Sequence, residues 1–230
     1  MGEAKRRKEQ FRKTSRTCVF CGGVATTDDH VPAKNLFIPP RPRQITVPAC
    51  ENCNGGMSAL EDEFRVFVSA KSGPDTPESI ELWKKGGLRS VRSNSRLRRE
   101  LVSGMKLWVR DPYGQFGQTY KWPRENHDRV VEKITRGLYY HHFHEILKTT
   151  DVLEITFLNS LNEDLKKTVL TMQHGNIGGI HRFAYAFGRT PEEPKLSLWI
   201  YQFYTRHWAG VVTKPADFEF SAIDNDRALA

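Results

Sequence analysis

The segment CVFCGGVATTDDHVPAKNLFIPPRPRQITVPACENCN, residues 18–54, contains all four cysteines of this 230-residue chain. They form two identical pairs, Cys18-Val-Phe-Cys21 and Cys50-Glu-Asn-Cys53, with 28 residues between the pairs. Two Cys-x-x-Cys pairs supply the four thiolates that zinc prefers, whereas a redox site would need only one pair. Because four thiolates leave no open coordination position, the pattern predicts a structural Zn²⁺ ion.

The composition is that of a folded protein, with 38% hydrophobic and 27% charged residues. This mixture argues against a disordered or collagen-like chain. No apolar run reaches the roughly 18–20 residues that cross a membrane. The first sixteen residues are basic and lack the apolar core of a signal peptide. We therefore predict no membrane segment and a cytoplasmic location.

The positive charge is concentrated in two segments. The chain carries a net charge of +8. Residues 1–16 contain seven bases and two acids, and residues 84–110 contain nine bases and one acid, so the remainder is slightly acidic. Concentrated positive charge on a nearly neutral body favours a polyanionic partner, although a solvated basic face is the simpler interpretation. The bases that we expect to bind nucleic acid are Lys84, Lys85, Arg89, Arg92, Arg96, Arg98 and Arg99.

The order of predicted elements indicates an α+β fold. Short strands are expected at 26–31 and 44–47, with a helix following from Met57 at helical apolar spacing. Further elements are a short helix that opens at 76–79 and is broken by Gly86-Gly87, a basic helix at 89–103, a hairpin at 106–122, helices at 124–147 and near 160–170, and strands at 151–158, 180–188 and 196–213. Residues 175–179 are expected to form a turn.

This order suggests four units. They are a basic N-terminal arm (1–17), a zinc-bound domain (18–72), a basic helical linker region (73–110) and a C-terminal α+β domain (111–230).

The residues inside the cysteine loop point to a specific chemistry. Asp29-His30-Val31-Pro32 lies between the two pairs, and Asn54 follows the last cysteine directly. Imidazole titrates near neutral pH, so His30 can accept a proton from an attacking water. A hard divalent cation prefers oxygen ligands, which Asp29 and the Asn54 carbonyl supply. Singly, an Asp-His pair is a common surface feature and Asn is a common helix cap, but both occur here within one cysteine frame.

This combination resembles the HNH endonuclease superfamily, also called ββα-metal or His-Me finger nucleases. The resemblance covers about residues 18–64 and is greatest to uncharacterised bacterial HNH proteins that share Leu36-Phe37, the Val-Pro-Ala-Cys ending at Cys50, and Cys53-Asn54. It implies an N-terminal ββα-metal unit stapled by zinc and followed by a helical and antiparallel-sheet unit. It also implies His30 as general base, with Asp29 and Asn54 binding a catalytic Mg²⁺ or Mn²⁺.

One position departs from the family pattern. The middle Asn of the family is expected near the second strand, where this chain has Arg43-Gln44-Ile45-Thr46. Gln44 is the candidate replacement, since Asn35 is too close to His30 in sequence to be assigned. The acidic run Glu61-Asp62-Glu63 either supplies a further ligand or complements a helix N-terminus.

The sequence thus predicts a metal-dependent endonuclease acting on nucleic acid, with DNA expected and RNA left open. The alternative is a non-catalytic, zinc-stabilised nucleic-acid-binding adaptor, which the departure at the middle Asn favours. A third reading assigns residues 111–230 to binding a protein partner or a second copy of the chain.

Overall fold

The computed structural model describes residues 16–70, 76–110, 116–120, 122–158 and 160–218. For 107–110 and 116–120 only the backbone is described. Most of the predicted basic arm, residues 1–15, therefore lies outside the described residues.

Two small hairpins form the N-terminal region. Their strands are β1 (Arg16–Thr17), β2 (Val24–Ala25), β3 (Thr27–Val31) and β4 (Ile45–Ala49). β1 pairs with β2 and β3 with β4, both antiparallel, and His30 lies opposite Thr46. The proline-rich connection between β3 and β4 contains a 3₁₀ turn at Lys34–Leu36. The predicted strands at 26–31 and 44–47 are confirmed within two residues.

Two helices follow β4 directly. The first is α1 (Glu51–Gly55) and the second is α2 (Ser58–Ala70), as expected from the apolar spacing. Cys50 caps the N-terminus of α1, and its sulfur accepts a hydrogen bond from the Cys53 amide. The α2 helix buries Phe64, Phe67 and Val68 against the rest of the molecule.

A continuous helical segment then runs from residue 77 to residue 93, and after the extended residue Asn94 a further helix runs to residue 104, so the basic helix predicted at 89–103 is divided in two. The elements are α3 (Pro77–Glu81), a π-helical turn (Leu82–Gly87), α4 (Leu88–Ser93) and α5 (Ser95–Gly104). The predicted break at Gly86-Gly87 is wrong because tertiary packing uses the glycines instead. A Cβ atom on Gly87 would lie 2.3 Å from the Ser69 Oγ, so only glycine allows this helix to approach α2 so closely.

The predicted hairpin and the long helix are both present. The hairpin strands are β5 (Met105–Arg110) and β6 (Phe116–Tyr120), and the helix is α6 (Arg124–Phe143). The helix ends four residues earlier than the sequence suggested, because His144 adopts a left-handed conformation with φ of 55°.

The C-terminal region is a five-stranded antiparallel sheet. Its elements are β7 (Val152–Leu158), α7 (Glu163–Thr171), β8 (Gln173–Ile177), β9 (Phe183–Arg189), β10 (Ser197–Phe203) and β11 (His207–Lys214). The strand order is β7-β11-β10-β9-β8. The sequence missed β8, where a turn was expected at 175–179. The turn begins only at Gly178 and runs to Arg182, with positive φ at Gly178 and Gly179, whereas Gly175 lies in the strand directly against the Tyr185 ring.

The α6 helix lies between this sheet and the β3–β4 hairpin. Its predicted apolar stripe of Val130, Ile134 and Leu138 is buried. Residues of the hairpin, α2, α6 and the sheet belong to one contiguous cluster of buried hydrophobic side chains. The fold is therefore α+β, as expected, while the predicted domain boundaries stay a prediction. Within the described ranges, none of the helices is long and apolar enough to cross a membrane.

Candidate functional site

The four cysteines come together as the sequence predicted. The sulfur atoms of four residues all lie within 4.8 Å of one another, namely those of Cys18, Cys21, Cys50 and Cys53. The first pair is shaped by a tight turn, in which the Gly22 amide donates to the Cys18 carbonyl and Gly22 has a φ of +75°. The second pair spans the first turn of α1, which brings both sulfurs to the same side.

The geometry of this four-cysteine cluster suits a metal ion. A tetrahedral ion with sulfur ligands at about 2.3 Å places the sulfurs roughly 3.8 Å apart, and the Cys21 and Cys50 sulfurs are 3.8 Å apart. Burial and the neighbouring thiols raise the pKa of Cys53. A bound cation would reverse this effect by stabilising the thiolate. Around the cluster, the buried hydrophobic residues are small and few, namely Cys18, Ala25 and Ala49.

The three predicted site residues line one open cleft of about 490 Å³. Asp29 and His30 are on β3, and Asn54 is on α1 immediately after the last cysteine. The Asn54 Nδ2 donates to the Thr27 Oγ1 at 3.0 Å and to the Asp28 carbonyl at 3.2 Å. Because a carbonyl can only accept, this bond fixes the orientation of the amide and leaves the Asn54 Oδ1 available as an oxygen donor.

His30 is half-buried at the edge of this cleft. Its backbone amide donates to the Asp29 Oδ1 at 2.7 Å. Burial lowers the pKa of His30, and the positive charge of Lys34 lowers it further. The imidazole is therefore predominantly neutral at neutral pH, which is the form that accepts a proton.

Sequence reasoning missed Lys133, which extends from α6 and pairs with two carboxylates of the cleft lining. Its Nζ lies 2.7 Å from the Asp29 Oδ2 and 2.7 Å from the Glu61 Oε1. All three side chains are buried, with exposed fractions of 6% for Asp29, 9% for Glu61 and 8% for Lys133. No local sequence signal marks Lys133, because it is flanked by other charged residues, Glu132 and Arg136.

The charges of this Asp29–Lys133–Glu61 group do not balance. Burial raises the pKa of Glu61, although the nearby ammonium opposes that effect. Burial alone would lower the pKa of Lys133, but the two carboxylates outweigh it and raise the pKa. We therefore treat Lys133 as charged. With both carboxylates ionised, the group carries one excess negative charge in a poorly solvated place.

The acidic run on α2 is divided between two environments. Glu61 and Asp62 line the cleft. Asp62 accepts from the Asn35 Nδ2 at 2.7 Å and pairs with Arg65 at 3.1 Å. Glu63 is on the other side of the helix, where it pairs with Arg96 and accepts from the Asn126 amide. Two of the three acids are thus placed where an additional ligand would be needed.

Gln44, the suggested replacement for the middle Asn, contacts the backbone. Its Nε2 donates to the Pro32 carbonyl at 2.9 Å. This bond joins the residue before β4 to the residue after β3, two positions after His30. It constrains the loop that follows His30 rather than the imidazole ring.

The seven bases predicted to bind nucleic acid are all exposed, and they lie outside the lining of the cleft. Arg96 is engaged by Glu63 and Glu100, and Lys85 pairs with Glu81. Arg89 connects the segment to the cleft, because it lies close enough to Arg65 to lower the pKa of that guanidinium, after the larger effect of burial.

Arg65 itself contacts two residues of the cleft lining, donating to the Asn35 carbonyl and pairing with Asp62. Arg41 also acts on the Arg65 pKa, and it is held by the Lys34 and Phe37 carbonyls. Arg41, Arg65 and Arg89 thus form a positive rim beside the Asp62 end of the cleft.

Comparisons of the chain with protein-family models, with curated proteins and with solved structures found no match. The function must therefore be inferred from the side chains of the cleft and its surroundings.

Proposed function

We propose that this chain is a metal-dependent HNH endonuclease that hydrolyses phosphodiester bonds, with DNA as the expected substrate. The supporting observation is that Asp29, His30 and Asn54 line one cleft formed by a β-hairpin and the helix that follows it. The four-cysteine cluster anchors both sides of that cleft. Cys21 comes shortly before the β3–β4 hairpin in the chain, and Cys53 comes directly before Asn54.

His30 serves as the general base in this proposal. Phosphodiester hydrolysis requires a group that removes a proton from the attacking water. The lowered pKa of His30 keeps the imidazole neutral at neutral pH, and its half-exposed position allows a water to reach it.

The cleft offers oxygen donors for a divalent cation such as Mg²⁺ or Mn²⁺. The Asn54 Oδ1 and the carboxylates of Asp29, Glu61 and Asp62 all belong to its lining, and hard cations prefer such ligands. When bound, the cation would offset negative charge on the phosphate and the leaving oxygen. The cysteine cluster would hold Zn²⁺ in a structural role, because four sulfurs leave no position for substrate.

The positive rim explains how a polyanion could approach an acidic cleft. Arg41 and Arg65 contact residues of the cleft lining, Arg89 lies near Arg65, and Lys34 is exposed in the lining itself. The exposed bases of 84–99 extend the same charge along α4 and α5. Such residues would contact phosphates rather than base edges, so we expect binding with little sequence preference.

The test is cleavage of supercoiled plasmid, linear single-stranded DNA and RNA by zinc-loaded protein with Mg²⁺ or Mn²⁺. We expect His30→Ala to lower the rate about 10²- to 10⁴-fold, the usual contribution of a general base. His181→Ala is the matched control, because His181 is exposed and lies outside the cleft lining. Folding and zinc content should be unchanged in both variants.

The pH dependence provides an independent check on His30. The neutral imidazole is the active form, so the rate should rise with pH through a value below the ordinary histidine pKa of about 6.5 and then level off. A His30→Ala variant that cleaves as fast as the parent, with the same pH profile, would show that another group is the base.

One observation favours the second candidate, the non-catalytic adaptor. The Asp29 Oδ2 is already paired with Lys133, so Asp29 is partly committed before any cation binds. An adaptor would bind nucleic acid without cleaving any of the three substrates in either metal.

A further inference from the structure

Lys133 occupies an unusual position for a lysine. Its side chain is buried, and its ammonium lies between two carboxylates from different elements, Asp29 on β3 and Glu61 on α2. The Phe20 ring, from the first cysteine pair, lies 5.5 Å away and offers its face to the charge. Lys133 therefore contacts two of the elements that line the proposed cation site, β3 and α2.

The backbone of α6 supports this placement. One turn after Lys133, Gly137 lies against Val31, and a Cβ atom there would come within 2.5 Å of the Val31 side chain. Asp29 and Val31 point to the same side of β3. The spacing of Lys133 and Gly137 along the helix thus matches the spacing of Asp29 and Val31 along the strand, and the lysine is held in register with the carboxylate.

We propose that the Lys133 ammonium holds Asp29 and Glu61 together when no cation is bound, and that it competes with a divalent cation for these carboxylates. Lys133 is thereby a positioning residue that sets the cation affinity of the cleft. This inference deepens the proposed function and rests on it for the identity of the cleft as a cation site.

The charge count gives the direction of the effect. Two carboxylates and one ammonium leave a single negative charge to attract a cation, and removal of the ammonium leaves two. At separations of a few ångströms, one additional charge changes the affinity for a divalent cation by about tenfold or more. A purely structural lysine would alter stability but leave cation affinity unchanged.

The experiment measures Mn²⁺ binding to the zinc-loaded full chain, using the electron paramagnetic resonance signal of free Mn²⁺. We expect Lys133→Met to bind Mn²⁺ at least tenfold more tightly than the parent, and to need correspondingly less Mn²⁺ for half-maximal cleavage. Lys195→Met is the matched control, because Lys195 pairs with the buried carboxylate of Asp151, a residue outside the cleft lining. It should leave Mn²⁺ affinity unchanged.

A second pair of variants protects the test against misfolding of Lys133→Met. In Glu61→Gln alone, the ammonium of Lys133 still neutralises the negative charge of Asp29. In the double variant Lys133→Met with Glu61→Gln, no ammonium neutralises that charge. We expect the double variant to bind Mn²⁺ about tenfold more tightly than Glu61→Gln. Equal Mn²⁺ affinities with and without the lysine, or no Mn²⁺ binding at all, would overturn the inference.

Failure of the proposed function would look different. A parent protein that binds Mn²⁺ in competition with Lys133 but cleaves no nucleic acid would retain the inference and refute the nuclease. A parent that cleaves nucleic acid, but whose Mn²⁺ affinity does not change in Lys133→Met, would retain the nuclease and refute the inference.

Discussion

The hairpin region and the C-terminal sheet are stabilised in different ways. In the sheet, large aromatic side chains stack in the interior; the Phe187 and Trp199 rings are 5.0 Å apart and nearly parallel, and Tyr201 is fully buried. Around the cysteine cluster, the buried hydrophobic residues are Cys18, Ala25 and Ala49. The adjoining cleft is lined largely by polar and charged side chains, including the buried carboxylates of Asp29 and Glu61.

This difference shows that the buried charged side chains of the cleft lie beside the cysteine cluster and not in the aromatic interior of the sheet. Buried carboxylates and a buried ammonium contribute little net stability, because desolvation offsets much of their attraction. A site built from them needs support from elsewhere. Here the support comes from the cysteine cluster on one side and from α6 on the other, since α6 packs on the sheet and also supplies Lys133.

The largest expected effect is therefore on the hairpin region when the metal is removed. Structural zinc contributes about 10 kcal/mol or more in small zinc-stabilised domains. We expect chelation, or Cys53→Ser, to abolish zinc binding and to remove amide protection from 16–56, while β9, β10 and β11 remain more protected. Hydrogen exchange with mass spectrometry, alongside metal analysis, measures both regions in one sample.

Equal exchange before and after metal removal would contradict the contrast between the two regions. It would mean that the four thiols hold the hairpins without an ion, and that the contiguous core with α6 is sufficient.

A smaller effect is expected from truncating an aromatic side chain in the sheet. Trp199 is fully buried, and its indole donates to the Ser197 hydroxyl. Trp199→Ala should lower the free energy of unfolding by about 3–5 kcal/mol, the usual cost of a large cavity. Zinc content should stay at the parent value. Denaturant unfolding measures the loss of stability, and metal analysis measures the zinc content. A Trp199→Ala variant that loses zinc but keeps its stability would contradict the separate stabilisation of the sheet and the hairpin region.

The smallest expected effect concerns the positive rim. Arg89 is exposed and adjoins Arg65, so Arg89→Gln should weaken DNA binding only a few-fold. The slope of log affinity against log salt should fall by about one, as expected for the loss of one phosphate contact. Lys167→Gln, an exposed charge on α7, serves as the control. Identical salt slopes for both variants would remove Arg89 from the binding surface.

Local patterns predicted the parts of this structure that depend on neighbouring residues. The cysteine spacing predicted the cluster, since each pair closes within one turn of chain. The apolar spacing predicted α2 and the buried stripe of α6. Asp29, His30 and Asn54 were selected from sequence, and the structure places them along one cleft. Their catalytic roles remain a prediction.

Only the tertiary structure revealed the features that depend on distant contacts. Gly86-Gly87 was expected to end a helix, but packing against α2 uses both glycines within a continuous helical segment. Lys133 stands 104 residues after Asp29, and no local pattern relates a lysine on α6 to a carboxylate on β3. The spacing of residues in a short segment determines which side chains that segment presents, such as Asp29 and His30. The charge that neutralises such a carboxylate comes from a residue that is distant in sequence, and only folding brings the two together.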